Sequence, residues 1–325
     1  MRAGDDASEG QPGTGWPARL HVVTGKGGTG KTSVAAALAL ALAADGRRTL
    51  LVEVEGRQGI GQLFGTGPLP YEERRIVALP GGGEVRALAV DPEEALLEYL
   101  DMFYKLGAAG RALRKLGAID FATTIAPGLR DVLLTGKVKE ATTRTAEKRR
   151  VYDSVVLDAP PTGRIGRFLN VTAEAARLAK VGPIKTQSEG VAALLRSPIT
   201  SVHVVTLLEE MPVQETVDAI AELNKLRIPV GRVIVNSARP PLLAAKVSQA
   251  ELRRGLAAAG LAADRATVAA LHTEARDQLT RRELEESLRS DLVELGLPIT
   301  VLPLLPEGVD RSGLDRLAAV LASAD

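Results

Sequence analysis

Apolar runs of four to six residues recur along the chain and alternate with longer stretches of helical spacing. Leu20-His21-Val22-Val23 ends at a glycine-rich loop, and the stretch 33–44 that follows is dense in Ala and Leu, both strong helix formers. Asp45-Gly46 closes that helix, and Thr49-Leu50-Leu51-Val52-Glu53-Val54 reads as a strand buried on both faces at its start. A strand, a helix and a strand make a βαβ unit. Strand signals return at 85–90, 154–157, 202–207, 233–235 and 300–302, with helical segments such as 212–226 between them. This alternation predicts an α/β fold, a mostly parallel sheet covered by helices.

The segment 56–83 is rich in loop residues, and Asp91-Pro92-Glu93 reads as a helix start. From there to about residue 150 the pattern is helical and carries no nucleotide chemistry. Residues 92–150 and 164–198 are assigned to a helical subdomain beside the sheet. The stretch 244–295 is long, charged and helical, and 312–321 reads as a final helix with Asp315 three residues after a Ser cap. Residues 1–18 are rich in Gly, Asp, Ser and Pro and lack the apolar centre of a signal peptide, so a disordered leader is expected, with one large domain over 19–325.

Composition narrows the function classes. The 41 basic and 40 acidic residues cancel, which removes the electrostatic reason to expect nonspecific nucleic-acid binding, and no nucleic acid is expected as a partner. A 3% aromatic content argues for aliphatic packing. With no Cys, disulfides, thiolate zinc sites, iron–sulfur ligation and a thiol nucleophile are excluded. No apolar run of about 18 residues is present, so no integral membrane segment is expected and the location is read as cytoplasmic. His21, His203 and His272 lie apart in strand or helix patterns and read as core or surface residues.

The strongest chemistry lies in Gly25-Lys26-Gly27-Gly28-Thr29-Gly30-Lys31-Thr32, which has the P-loop spacing of two glycines five apart followed by Lys and Thr. Backbone N–H groups of such a turn and of the helix after it surround a phosphate. The glycines permit positive φ and close approach, Lys31 reaches the β- and γ-phosphates of ATP, and the Thr32 hydroxyl ligates Mg²⁺. Lys26 is an extra cation that an ordinary phosphate loop does not need.

With that extra lysine, the loop resembles the deviant Walker A motif of the family containing MinD, ParA, nitrogenase iron protein and the ArsA ATPases. The resemblance implies a dimer that sandwiches nucleotide, in which Lys26 acts on the partner's phosphates as an arginine finger would. Val155-Val156-Leu157-Asp158-Ala159-Pro160-Pro161-Thr162-Gly163 places a carboxylate at the end of a buried strand, where open parallel sheets bind ligands. It resembles the Asp-Thr-Ala-Pro-Thr-Gly switch of ArsA and of the tail-anchored-protein targeting ATPases, with Asp158 holding Mg²⁺ through water; an Asp that merely begins a turn is the plain alternative. Arg164 and Arg167 just after it fit either a relay of nucleotide state or an ordinary helix face.

Glu55 falls where those ATPases carry the Asp of an Asp-Pro-Ala-His switch that orients the attacking water. Glu can do the same work, but the family's Pro and His are replaced by Gly56 and Gln58, and the longer side chain moves the carboxylate. Asn236 ends a strand and either pairs with adenine, as the resemblance implies, or starts an Asx turn before Arg239-Pro240-Pro241. Pro303-Leu304-Leu305-Pro306 resembles the family's loop near adenine, with Pro303 and Leu305 as the contacts. Further matches, including Pro127-Gly128 and Glu209 to Thr216, extend the resemblance over most of 20–321.

Three functions follow. One is an ArsA-like, Mg²⁺-dependent ATPase, a homodimer or a heterodimer with a related ATPase, whose nucleotide state handles a protein client or partner. Another is an ATP-binding scaffold or regulatory subunit that hydrolyses poorly, and a third is a ParA- or MinD-type positioning ATPase. The missing Cys removes both the thiolates that hold soft metalloids and a paired-cysteine zinc clasp.

Overall fold

The computed structural model describes residues 15–104, 127–171, 173, 182–243 and 245–324. In chain order the elements are β1 (Leu20–Gly25), α1 (Lys31–Leu42), β2 (Arg48–Glu53), α2 (Gly59–Leu63), β3 (Arg74–Ala78), β4 (Glu84–Ala89), α3 (Pro92–Tyr104) and α4 (Pro127–Thr143). They continue with β5 (Thr145–Ala146), β6 (Arg149–Arg150), β7 (Ser154–Asp158), α5 (Thr162–Leu169), α6 (Pro183–Leu195), β8 (Thr200–Thr206), α7 (Glu210–Lys225) and β9 (Val230–Ala238). The chain closes with α8 (Gln249–Ala258), α9 (Arg265–Val293), β10 (Ile299–Pro303) and α10 (Arg311–Ala322).

Eight strands form one sheet in the order β10-β9-β8-β1-β7-β2-β4-β3, parallel except where β3 runs against β4. The period-2 geometry of a strand sends alternate side chains to opposite faces. Leu20 and Val22 of β1 therefore join the cluster under α3 to α7, while Val23 joins the cluster under α1 and α10. The two clusters are the filled spaces of a three-layer sandwich. β1 lies at its centre between β7 and β8, so the loop that follows β1 opens where the chain order of the sheet reverses.

Each expected strand forms, and the central sheet is parallel as the alternation required. Two segments differ. The stretch 56–83 holds α2 and the edge strand β3, whose Arg74-Arg75-Ile76-Val77 lacks the apolar density of a central strand because, among the described residues, it pairs on one side alone, with β4. The helix expected to run to about residue 150 stops at Thr143, and β5 and β6 make a hairpin whose turn residues Glu147 and Lys148 have φ of 50° and 64°. Thr142 and Thr143 bond their hydroxyls back to Val138 and Lys139, a use of β-branched residues that weakens helix continuation. The basic run Lys148-Arg149-Arg150 therefore lies in the hairpin and not in a helix.

The expected leader is described only at its end, and that end is packed. Trp16 is 1% exposed, its indole N–H donates to the Leu321 carbonyl at 2.8 Å, and the Arg232 guanidinium sits 5.0 Å from its ring centre. Residues 1–14, and 105–126 and 174–181 of the expected helical subdomain, lie outside the described residues. The two strand histidines that look isolated in sequence are neighbours in space. His21 is level with Ser201 and His203 with Val23, so the two form a diagonal pair across β1 and β8, with ring nitrogens 3.1 Å apart. Burial lowers both, His21 to about 4 and His203 well below its ordinary value, so the pair is neutral.

Candidate functional site

β1 ends in Gly25, where a side chain would strike the Val205 carbonyl oxygen at 2.2 Å, so only glycine lets the loop leave between β1 and β8. Gly28 and Gly30 turn it with φ of 89° and 84°, and the Thr29 hydroxyl donates to the Lys26 carbonyl at 2.9 Å. Gly30 caps α1 without a side-chain acceptor, and the first turn of α1 carries no acidic residue. The first N–H groups of α1 are thus left to an anion, favoured further by the helix dipole. Lys31 opens α1 at 8% exposure. Desolvation lowers its ammonium, opposed by the charges of Asp158 and Glu55.

The Thr32 hydroxyl donates to Asp158 Oδ2 at 2.7 Å, joining the loop to the end of β7. Burial pushes the Asp158 carboxyl up to about 6, with the Thr32 hydrogen bond and Lys31 pulling the other way. Its Oδ1 is buried without a partner. Glu53, Asp158's lateral neighbour in the β2–β7 register, is 2% exposed; its Oε2 accepts from the Ile60 N–H at 3.3 Å and its Oε1 has no partner. Two neighbouring carboxylates, each with an orphaned buried oxygen, form a donor set suited to a hard divalent cation.

Lys26 Nζ donates to Glu215 Oε1 at 2.5 Å, and the Thr162 hydroxyl donates to Glu215 Oε2 at 2.7 Å. One carboxylate on α7 thereby ties the phosphate loop to the first turn of α5. The Lys26 hydrogen bond is the main reason that the Glu215 carboxyl lies below its ordinary range. Glu55 lies just past β2 with its two oxygens 3.7 Å from Arg57 Nε and 3.5 Å from Arg164 Nη1. Its charge reaches both Lys31 and Asp158.

Asn236, on β9, donates from Nδ2 to the Thr29 carbonyl at 2.8 Å and so braces the loop, leaving its amide oxygen as the free acceptor. It borders a cleft of about 710 Å³ shared with Gly28, Met211, Arg281 and Leu304. Pro303 ends β10, and the Leu305 side chain is buried in the core against Gly313, so Leu304 is the leucine of that loop that faces the cleft.

The structure thus gathers Lys26, Lys31, Thr32, Glu55, Asp158 and Asn236 around one loop, and leaves the Leu305 side chain outside the cleft. Sequence reading missed Glu53 and Glu215. An acidic residue inside the apolar run Leu50 to Val54 was the available signal for Glu53. The family match over Glu209 to Thr216 took in Glu215 without giving it a role, because its meaning comes from α7 passing beside a loop 189 residues earlier.

The sequence profile of the anion-transporting ATPases matches residues 18–196, which takes in the phosphate loop, Glu55 and Asp158. The chain belongs to the anion-transporting ATPase family. It is 53% identical over 330 residues to ATPase BagA of Mycobacterium tuberculosis, covering 97% of each chain. It is 26% identical over 321 residues to an arsenical pump-driving ATPase of Acidiphilium multivorum, covering 90% of this chain and 52% of that one. ATPase GET3 of Kluyveromyces lactis matches at 26% over 253 residues, 67% of this chain and 71% of that one. The ArsA-like resemblance is thereby established, and with it a family whose members are ATPases. No helix among the described residues is long and apolar enough to cross a membrane.

Proposed function

We propose that this chain binds and hydrolyses ATP with Mg²⁺ as a dimeric switch, and that its nucleotide state is passed to a protein client or partner subunit. The Thr32–Asp158 contact at 2.7 Å, at the foot of a glycine loop that leads into an uncapped helix, is the observation that carries this reading. The N–H groups of 27–32 and the Lys31 ammonium bind and orient the phosphates. Thr32 and Asp158 would hold Mg²⁺, the latter through water, and the ion would supply charge neutralisation at the phosphates. Asn236 offers its amide oxygen to the adenine amino group, with the cleft beside it receiving the base. Lys26 leaves Glu215 and reaches the partner's phosphates when two subunits close.

Gel filtration with light scattering, with and without ATP and Mg²⁺, combined with turnover assays of wild type and Lys31→Ala, tests the reading. A nucleotide-dependent dimer and a turnover lost in Lys31→Ala are expected. Equal rates in both proteins, or no change of assembly at saturating ATP, would sink it.

The second reading, a weakly hydrolysing ATP-binding subunit, is favoured by one observation. Glu55 stands between Arg57 and Arg164, whose guanidiniums compete with an attacking water for its two oxygens. Turnover equal to that of Glu55→Gln, at background level and with tight ATP binding, would favour it. Arsenical transport, which the name of the Acidiphilium relative suggests, would need ligands other than thiolates in this chain.

A further inference from the structure

Beside the phosphate loop, a polar cavity of about 190 Å³ opens between the segment after β2, the first turn of α4 and the first turn of α5. Three guanidiniums line it, one from each of these segments: Arg57, Arg130 and Arg164. The carboxylates of Glu55 and Asp131 are its acidic groups, and the buried Phe168 ring is among its few apolar ones. Cations therefore outnumber anions by three to two.

The arginines are not used up by these carboxylates. Each guanidinium carries five donors, and the contacts from Arg57 and Arg164 to Glu55, at 3.7 and 3.5 Å, are at or beyond the limit of a hydrogen bond. Arg130 Nε is buried and has no acceptor. Buried donors normally find one, and a forked cation matches the oxygens of a tetrahedral oxyanion. The cavity has the liquid volume of roughly six waters, enough for one such ion and some of its hydration.

Its position favours one oxyanion. Glu55 lies on its wall and is close enough to Lys31 and Asp158 for its charge to act on both, and Arg57 acts on Lys31 as well. The cavity therefore adjoins the Lys31 and Asp158 end of the phosphate loop on the Glu55 side. We propose that Arg57, Arg130 and Arg164 form a second oxyanion site that takes orthophosphate released from the nucleotide. The proposal rests on the ATPase reading and adds a place where the product pauses. While phosphate stays, it links the segment after β2 to the first turns of α4 and α5. Its departure breaks that link.

The test uses the full chain loaded with ADP and Mg²⁺. Thermal melting is followed against added inorganic phosphate, with sodium chloride at equal ionic strength as the control, for wild type, Arg130→Gln, Arg57→Gln and Lys31→Ala. The wild type is expected to show a saturable phosphate-dependent rise. Its midpoint should move up by about tenfold or more in Arg130→Gln and in the exposed-site variant Arg57→Gln, while the ADP midpoint stays within about twofold. An ADP-responsive wild type without a saturable phosphate response, or an Arg130→Gln and Arg57→Gln pair that both match wild type, overturns the proposal and leaves the nucleotide reading standing. An ADP response unchanged by Lys31→Ala overturns both.

Discussion

Replacing Glu215 by Gln separates the Lys26 contact from everything else at the site. Lys26 and Glu215 are each about one-third exposed, so their 2.5 Å pair is solvated and contributes roughly 1 kcal/mol. At that strength Lys26 rests on Glu215 about five times for each time that it is free. The amide keeps an acceptor for the Thr162 hydroxyl but presents an N–H₂ group, or an uncharged oxygen, to the ammonium. If Lys26 must leave Glu215 to reach a partner's phosphates, Glu215→Gln raises steady-state ATP turnover by up to about fivefold. Nucleotide affinity should hold within about twofold, because Lys31, Thr32 and the loop backbone are untouched. Salt gives a second check: ionic strength screens an exposed pair, so added salt should narrow the gap between the two proteins. A lower turnover in Glu215→Gln, with affinity intact, would refute the reasoning and make Glu215 the residue that positions Lys26.

Lys26→Ala should keep nucleotide binding and cut turnover by at least about a thousandfold, the scale of a lost arginine finger, measured by phosphate release against an ADP-binding titration. The neutral His21–His203 pair predicts acid sensitivity. The unfolded chain takes up protons below 6.5 while folded His21 resists until about 4, so stability falls as pH drops through that window, by on the order of 3 kcal/mol for His21 alone. Urea melts of wild type and of a His21→Phe, His203→Phe double variant, taken at several pH values, should show a flatter pH slope in the variant, and an unchanged slope would contradict it. Trp16→Ala should cost roughly 3–5 kcal/mol in the same melts, and a loss under 1 kcal/mol would mean that the ring is not part of the core.

The fold was legible where a residue's role is local. Apolar runs located the strands because a strand covered on both faces must be apolar along its length, and the glycines of 25–30 declared a turn that other residues could not make. The edge strand β3 escaped because it pairs only with β4 among the described residues and its composition follows that edge position. The hairpin at 145–150 escaped because helical spacing across Thr142 and Thr143 concealed the break. Within the site, Lys31, Thr32 and Asp158 were readable from spacing and strand-end placement. Glu53 was hidden by standing next to Glu55, the carboxylate that the family resemblance singles out. Glu215, Arg130 and the histidine pair acquire meaning only through contacts between distant segments, which no local pattern encodes.

The clasp between Trp16 and Leu321 also bears on how the chain is made. Its two ends are 305 residues apart, and the first strand of the sheet lies in the middle, waiting for β7 and β8. At the usual 5–20 residues per second of synthesis, roughly 15 to 60 s separate the emergence of Trp16 from that of its acceptor. Through that interval the layer of space destined for α10 stays open, with Trp16 and the apolar face of α1 exposed. A ribosome stalled before α10 would therefore carry a nascent chain with an already translated phosphate loop and without the Leu321 carbonyl that accepts from Trp16.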